Sequence, residues 1–151
     1  MKKRYYIAYG SNLNVKQMKM RCPSAQLVGT SKIENYELLF KGSKTGYYLT
    51  IEPKTGENVP VAVWETTPED EAALDRYEGF PIFYYKAEIQ LPIKELQTKK
   101  VKKREGYIYI MQENRSKGLP NKCYVDTCIE GYFYFGFDVE ILKRAIEKSK
   151  F

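Results

Sequence analysis

The stretch TTPEDEAALDRYEGF, residues 66–80, constrains the fold more than any other part of the chain. Thr67 suits an N-cap, because its side-chain oxygen can accept a backbone N–H that a first helical turn leaves open. Pro68 fits the first helical position, and Glu69, Asp70 and Glu71 stand at the positive end of the helix dipole. Ala73, Leu74 and Tyr77 make an apolar stripe at helical spacing. Gly79 suits a left-handed cap, and Pro81 forbids continuation. The spacing predicts a short helix closed at both ends.

Strand-like segments flank that helix. They fall at residues 4–9, 26–40, 47–52 and 59–65 before it, and at 82–92 and 105–112 after it. Pro53-Lys54-Thr55-Gly56 reads as a turn between the third and fourth segments. A second short helix is expected over 14–21, with Asn14 as N-cap and Pro23 beyond its end. Toward the C-terminus Tyr124, Cys128, Ile129, Tyr132 and Phe133 recur at helical spacing until Gly136. Asp138 then caps another helix running to about Lys148. Short helices set between several strands indicate an α+β fold, not a doubly wound sheet. One domain over 1–151 is expected, a small curved-sheet β-barrel with flanking short helices.

Composition narrows the chemistry. There is no histidine, so Ser-His-Asp and Cys-His catalysis and histidine-based zinc sites are excluded. Acid–base work falls to Glu, Asp, Lys, Tyr or Cys. Cys22, Cys123 and Cys128 are an odd number without a Cys-x-x-Cys pair, and are expected to be free thiols in a reducing compartment. No metal site and no cofactor are expected. Met1-Lys2-Lys3-Arg4 resembles the basic start of a secretion leader, but Gly10 to Asn14 cuts the apolar stretch short. No run reaches the ~18 apolar residues of a membrane span. A cytoplasmic protein without membrane association is the expectation. Net charge is +6, much of it from Lys99, Lys100, Lys102, Lys103 and Arg104. That run contains no interleaved aromatic residue and reads as a solvated hairpin turn; nucleic-acid binding is the alternative.

Two places carry chemistry. In YYIAYGSNLN, residues 5–14, an apolar strand runs into Tyr9-Gly10-Ser11-Asn12 just before a helix. Exposed N–H groups converge at such a junction and favour an anion. Gly10 permits close approach of a ligand or a positive φ, and Ser11 and Asn12 add donors. A tight turn with helix capping is the plainer account of the same residues. The other place is Glu78, at the C-terminal edge of the middle helix beside Tyr77 and Phe80. The helix dipole is negative there and aromatic neighbours desolvate, so both effects raise a carboxyl pKa toward that of a general base. A solvated surface glutamate is the alternative.

YIAYGSNL and LDRYEGFPIFYYK resemble the two signatures of the γ-glutamyl cyclotransferase-like proteins. The resemblance runs from about residue 5 to residue 142. It implies a small barrel with flanking helices and a ligand loop at Tyr9, Gly10, Ser11, Asn12 and Leu13. It implies a catalytic glutamate in Glu78-Gly79-Phe80-Pro81, followed by Tyr84 and Lys86 at the family's Tyr-x-basic spacing. Pro120, Tyr124 and Gly131 look like its C-terminal pattern. Tyr84 and Tyr124 are expected to donate hydrogen bonds to the ligand. The implied partner is a small γ-glutamyl compound. The implied reaction releases 5-oxoproline by intramolecular aminolysis without cofactor or metal, a lyase or acyltransferase type placed in glutathione metabolism. A non-catalytic binding module for the same metabolites is the alternative. The leaving group's pocket is expected from segments 42–48 and 112–120. The identity of that group and the oligomeric state stay open.

Overall fold

The computed structural model describes residues 3–43 and 45–150. Strands β1 (Arg4–Ala8), β2 (Gln26–Ser43), β3 (Gly46–Thr66), β4 (Tyr84–Glu95) and β5 (Val101–Met111) close into a barrel in the order β3-β1-β5-β4-β2 and back to β3. A two-residue strand, β6 (Ser116–Lys117), is added beside β2. All pairings are antiparallel except β1 with β5. Four helices flank the barrel among the described residues: α1 (Val15–Arg21), α2 (Pro68–Glu78), α3 (Lys122–Phe135) and α4 (Glu140–Lys148). The α+β barrel expected from the sequence is the fold observed.

The barrel interior is packed with branched and aromatic side chains, among them Ile7, Val61, Val63, Ile93 and Ile108, all at most 1% exposed. β1 lies between β3 and β5, and its short run therefore ends inside the structure rather than at an edge. That placement delivers Tyr9-Gly10-Ser11 to the middle of one barrel end.

Helix α2 follows its local signals. Thr67 and Asp70 form a reciprocal capping box (Asp70 N–H to Thr67 Oγ1 3.2 Å, Thr67 N–H to Asp70 Oδ2 3.0 Å), and Gly79 takes φ 66°. Lys86 on β4 reaches Glu71 (2.7 Å) and Asp75 (3.0 Å), and Tyr109 on β5 donates to Asp75 (2.6 Å). These contacts pin α2 against the barrel along its length from Glu71 to Asp75, and Lys86 is an anchor for the helix.

The sequence reading is corrected at four places. Pro53-Lys54-Thr55-Gly56 does not reverse the chain. β3 is one strand of 21 residues that pairs along β2 on both sides of this stretch, with Glu34 opposite Asn58 but Tyr36 opposite Pro53. The extra residues form a bulge held by the Gly56 N–H on Asn35 Oδ1 at 3.1 Å. The basic run is only partly a turn. Lys102, Lys103 and Arg104 lie within β5, and Arg104 pairs with Glu95 (3.1 Å) and stacks on Tyr5. Phe133 faces outward on α3, 72% exposed. Tyr77 is 45% exposed and belongs to a cavity rim rather than to the core.

Candidate functional site

One cavity of about 420 Å³ opens at the end of the barrel where β1 terminates. Half of the chain's 14 tyrosines line it. A ring that is apolar in body and polar at its tip suits a wall that must pack behind and hydrogen-bond in front. The abundance of tyrosine is thus largely a property of this one place.

The loop after β1 is a short 3-10 turn, Ser11–Leu13, followed by α1 with Asn14 as its N-cap (Gln17 N–H to Asn14 Oδ1, 3.2 Å). The Leu13 N–H donates to the Gly10 carbonyl at 3.0 Å, and the Leu13 side chain is fully buried and does not line the cavity. The Leu13 amide is therefore not open to a ligand, which narrows the expected anion-holding group to Gly10, Ser11 and Asn12. Gly10 has φ −120°, so its smallness serves close packing and not a positive φ. A Cβ there would stand 3.3 Å from the Tyr124 hydroxyl.

The remaining loop side chains have partners. Tyr9 donates to the Tyr109 carbonyl (2.6 Å), Ser11 shares a hydrogen bond with Tyr77 (2.9 Å), and Asn12 donates to the Tyr6 hydroxyl (2.9 Å). Arg21 donates to the Asn12 side-chain carbonyl and lies over the Tyr77 ring at 3.5 Å. Tyr84 and Tyr124 differ in what they can offer. Tyr84 donates to the Leu49 carbonyl (2.7 Å), so its proton is engaged and it serves as wall. Tyr124 instead accepts the Leu49 N–H (3.1 Å), which leaves its own proton for donation. The sequence carried no signal for Tyr6, Tyr109 or Arg21, since nothing local separates a cavity tyrosine from a core one, and it marked Tyr77 only as a neighbour of Glu78.

Glu78 closes α2 and lines the same cavity as Tyr9, Gly10, Ser11 and Asn12. It is half-buried and has no hydrogen-bond partner among the described residues. Loss of hydration raises its carboxyl pKa to about 8, with the Arg21 charge pulling the other way. Burial pushes the Tyr6, Tyr9 and Tyr84 phenols well up, and the Glu78 charge adds to each. A carboxyl with no partner, facing a cavity among neutral phenols, holds or releases a proton near neutral pH. That is the behaviour of a general acid–base, not of a structural ion pair. Glu71 and Glu88, by contrast, pair with Arg4.

Of the segments expected to form the distal wall, 42–48 contributes Thr45 and Tyr48, while residue 44 lies outside the described residues. Segment 112–120 does not line the cavity. Gln112 bonds the Pro81 carbonyl, and Gly118 packs against Tyr47 behind the wall. The three cysteines are free thiols. Cys128 lies buried against Tyr124, its pKa pushed up to about 12, and Cys22 is raised to about 11 by burial. Neither is a poised nucleophile. No group of three metal-ligating side chains occurs, and no helix is long and apolar enough to cross a membrane, among the described residues.

The sequence model of the family described as "Gamma-glutamyl cyclotransferase, AIG2-like" matches residues 6–126. A γ-glutamylcyclotransferase from Bos taurus is 33% identical over 81 residues, covering 49% of this chain and 43% of that protein, less than half its length. A solved γ-glutamyl cyclotransferase superimposes with a TM-score of 0.81 at 24% identity, over 95% of this chain and 86% of its own. That likeness concerns the fold. A human protein described as uncharacterized superimposes at 0.80 and 25% identity, over 96% and 87%.

Proposed function

The chain belongs to the AIG2-like γ-glutamyl cyclotransferase family, and we propose that it releases 5-oxoproline from a γ-glutamyl amine, amino acid or peptide with Glu78 as the general acid–base. The observation that carries this reading is the unpartnered Glu78 carboxyl, raised to about 8, inside the cavity that the Tyr9–Asn12 loop also lines.

The chemistry is internal. The α-amino nitrogen attacks the γ-carbonyl carbon of its own glutamyl chain and closes a five-membered ring. Glu78 accepts the proton that the attacking ammonium gives up and passes it to the departing nitrogen as the original amide C–N bond breaks. The freed carboxylate then takes the second proton from the new ring nitrogen, which leaves a neutral lactam, and Glu78 releases it to the leaving amine or to water. An α-ammonium has a pKa of about 8, so donor and acceptor are matched and a single carboxyl serves both steps. The Gly10, Ser11 and Asn12 amides hold the substrate's α-carboxylate, and Tyr124 supplies a further donor. Holding a flexible chain folded on itself contributes several of the roughly 7–11 kcal/mol available from positioning. Cytoplasmic location and a place in glutathione metabolism are part of the same proposal.

The direct test is 5-oxoproline release from a panel of γ-glutamyl dipeptides. Binding without any turnover would favour a sensor on the same fold. The pH dependence follows from the proton count. One proton is shared between Glu78 and the substrate amine. Well below 8 both groups are protonated and no base is present. Well above 8 both have lost their protons and none is left for the leaving nitrogen. The expected kcat/KM profile is a bell centred near the Glu78 value of about 8. A flat profile between pH 6 and 10 would remove Glu78 from the mechanism.

Gly10→Val should lower kcat/KM by roughly 10- to 100-fold. The first added carbon already stands 3.3 Å from the Tyr124 hydroxyl, and the branches must extend beyond it. Normal kinetics in this variant would show that the loop does not meet the substrate at Gly10.

A further inference from the structure

We propose that Tyr124, Tyr48 and Phe83 form the leaving-group subsite, and that this subsite takes γ-glutamyl compounds whose leaving amine carries a bulky apolar or aromatic side chain. The proposal rests on the γ-glutamyl reading above and names the part of the substrate that reading leaves open.

The geometry of the cavity rim points to it. A Cβ on Gly10 would stand 3.3 Å from the Tyr124 hydroxyl, so these two residues are neighbours. The Tyr124 and Tyr48 ring centres are 5.2 Å apart, and those of Tyr48 and Phe83 are 6.2 Å apart. A Cβ on Gly79 would stand 3.2 Å from the Phe83 Cβ, which brings the circuit to the end of α2. Glu78 and Tyr77 follow, and the Tyr77 hydroxyl meets Ser11 at 2.9 Å. The circuit then returns to Gly10.

The two arcs of this circuit differ in chemistry. One holds Ser11, the Tyr77 hydroxyl and Glu78. The other holds three rings in edge-to-face contact, at 81° and 84°. Phe83 has no polar tip, Tyr48 donates to the Thr45 carbonyl (3.3 Å), and the Tyr124 hydroxyl lies at the loop end of the arc, where it accepts from Leu49 (3.1 Å) beside Gly10. Beyond that hydroxyl the arc presents carbon. A substrate whose scissile nitrogen lies beside Glu78 has its glutamyl head on the polar arc. Its leaving group must then extend toward the rings.

Charge narrows the class further. No carboxylate belongs to the aromatic arc, so a leaving group with a free ammonium would find no counter-charge there. An apolar or aromatic side chain gains burial against the rings and loses nothing. Glycine would leave water trapped against carbon.

The test is kcat/KM for 5-oxoproline release from γ-Glu-Phe, γ-Glu-Leu, γ-Glu-Gly and γ-glutamyl-ε-lysine. The wild type would be compared with Phe83→Leu, Tyr48→Ala and the control Ile82→Ala, an outward-facing neighbour 76% exposed. γ-Glu-Phe and γ-Glu-Leu are expected to exceed γ-Glu-Gly by about tenfold or more. The Phe-to-Gly ratio should fall several-fold in Phe83→Leu and Tyr48→Ala and hold in Ile82→Ala. Turnover without that preference, or with the lysine compound favoured, overturns the subsite while leaving the γ-glutamyl reading in place. An unchanged ratio in both wall variants overturns it as well. No turnover of any of the four removes the γ-glutamyl reading, and the subsite with it.

Discussion

Glu78→Gln is expected to reduce 5-oxoproline release by roughly 10²–10⁴-fold, the usual contribution of a positioned acid–base group. The amide keeps the size and hydrogen-bonding capacity of the carboxyl but cannot accept and return a proton. Substrate affinity should change little, because the proposed mechanism gives the holding to the loop and Tyr124, and a binding titration separates the two effects. Stability should move in a diagnostic way. The folded carboxyl titrates at about 8, against 4.5 for the ordinary group. The folded state therefore binds more protons than the unfolded state between those values. Stability is fully present below the unfolded pKa and falls as pH rises through the folded one, by up to a few kcal/mol on the order of 1.4 per unit. Glu78→Gln should lack that decline, and its melting temperature should exceed the wild type's at pH 9 while its activity is almost gone. Glu88→Gln is the control, since Glu88 is an exposed residue paired with Arg4. A Glu78→Gln protein with full turnover would end the mechanism. One as pH-sensitive in stability as the wild type would show that Glu78 is not the desolvated group.

What the sequence disclosed follows from how local each signal is. Helix α2 was legible from end to end, because Thr67, Pro68, Asp70 and Gly79 each act within a turn or two of chain. Glu78 was legible for the same reason, as a carboxylate where a helix end disfavours one. The bulge at residues 53–58 was misread, because turn formers look alike whether the chain reverses or merely steps aside. Only the pairing of β2 on both sides of it decides, and that is a long-range fact. Barrel closure through the parallel β1–β5 contact is likewise invisible locally. The loop residues were correctly brought to a junction, yet the Leu13 amide could not be known to close on Gly10. Tyr77 was assigned to an apolar stripe because its spacing fits one. Its hydroxyl meets Ser11 across 66 residues of sequence, so periodicity could not have separated rim from core.

Gly131→Ala sets two such scales against each other, and its sign is the informative result. Helix propensity alone predicts that alanine inside α3 stabilises by about 1 kcal/mol over glycine. Packing predicts the reverse. A Cβ at 131 would stand 2.6 Å from the Leu13 carbonyl carbon, 2.6 Å from its Cβ and 2.8 Å from its oxygen. These are mostly backbone atoms of a fully buried turn, which no rotamer change can move aside. The turn and α3 are also tied by Asn14, which donates to the Thr127 carbonyl (3.2 Å) and to Glu130 (2.5 Å). The added methyl must push α3 away from the loop or push the loop into the cavity. Overpacking of this kind costs roughly 1–3 kcal/mol, enough to outweigh the propensity gain. A shift of about 1 Å in the Gly10–Asn12 loop also degrades positioning, by up to roughly 10²-fold in rate. Gly131→Ala is therefore expected to lower both melting temperature and kcat/KM. Lys122→Ala, at the exposed start of the same helix, should stay within about 0.5 kcal/mol of the wild type. A more stable and fully active Gly131→Ala would mean that α3 does not brace the ligand loop.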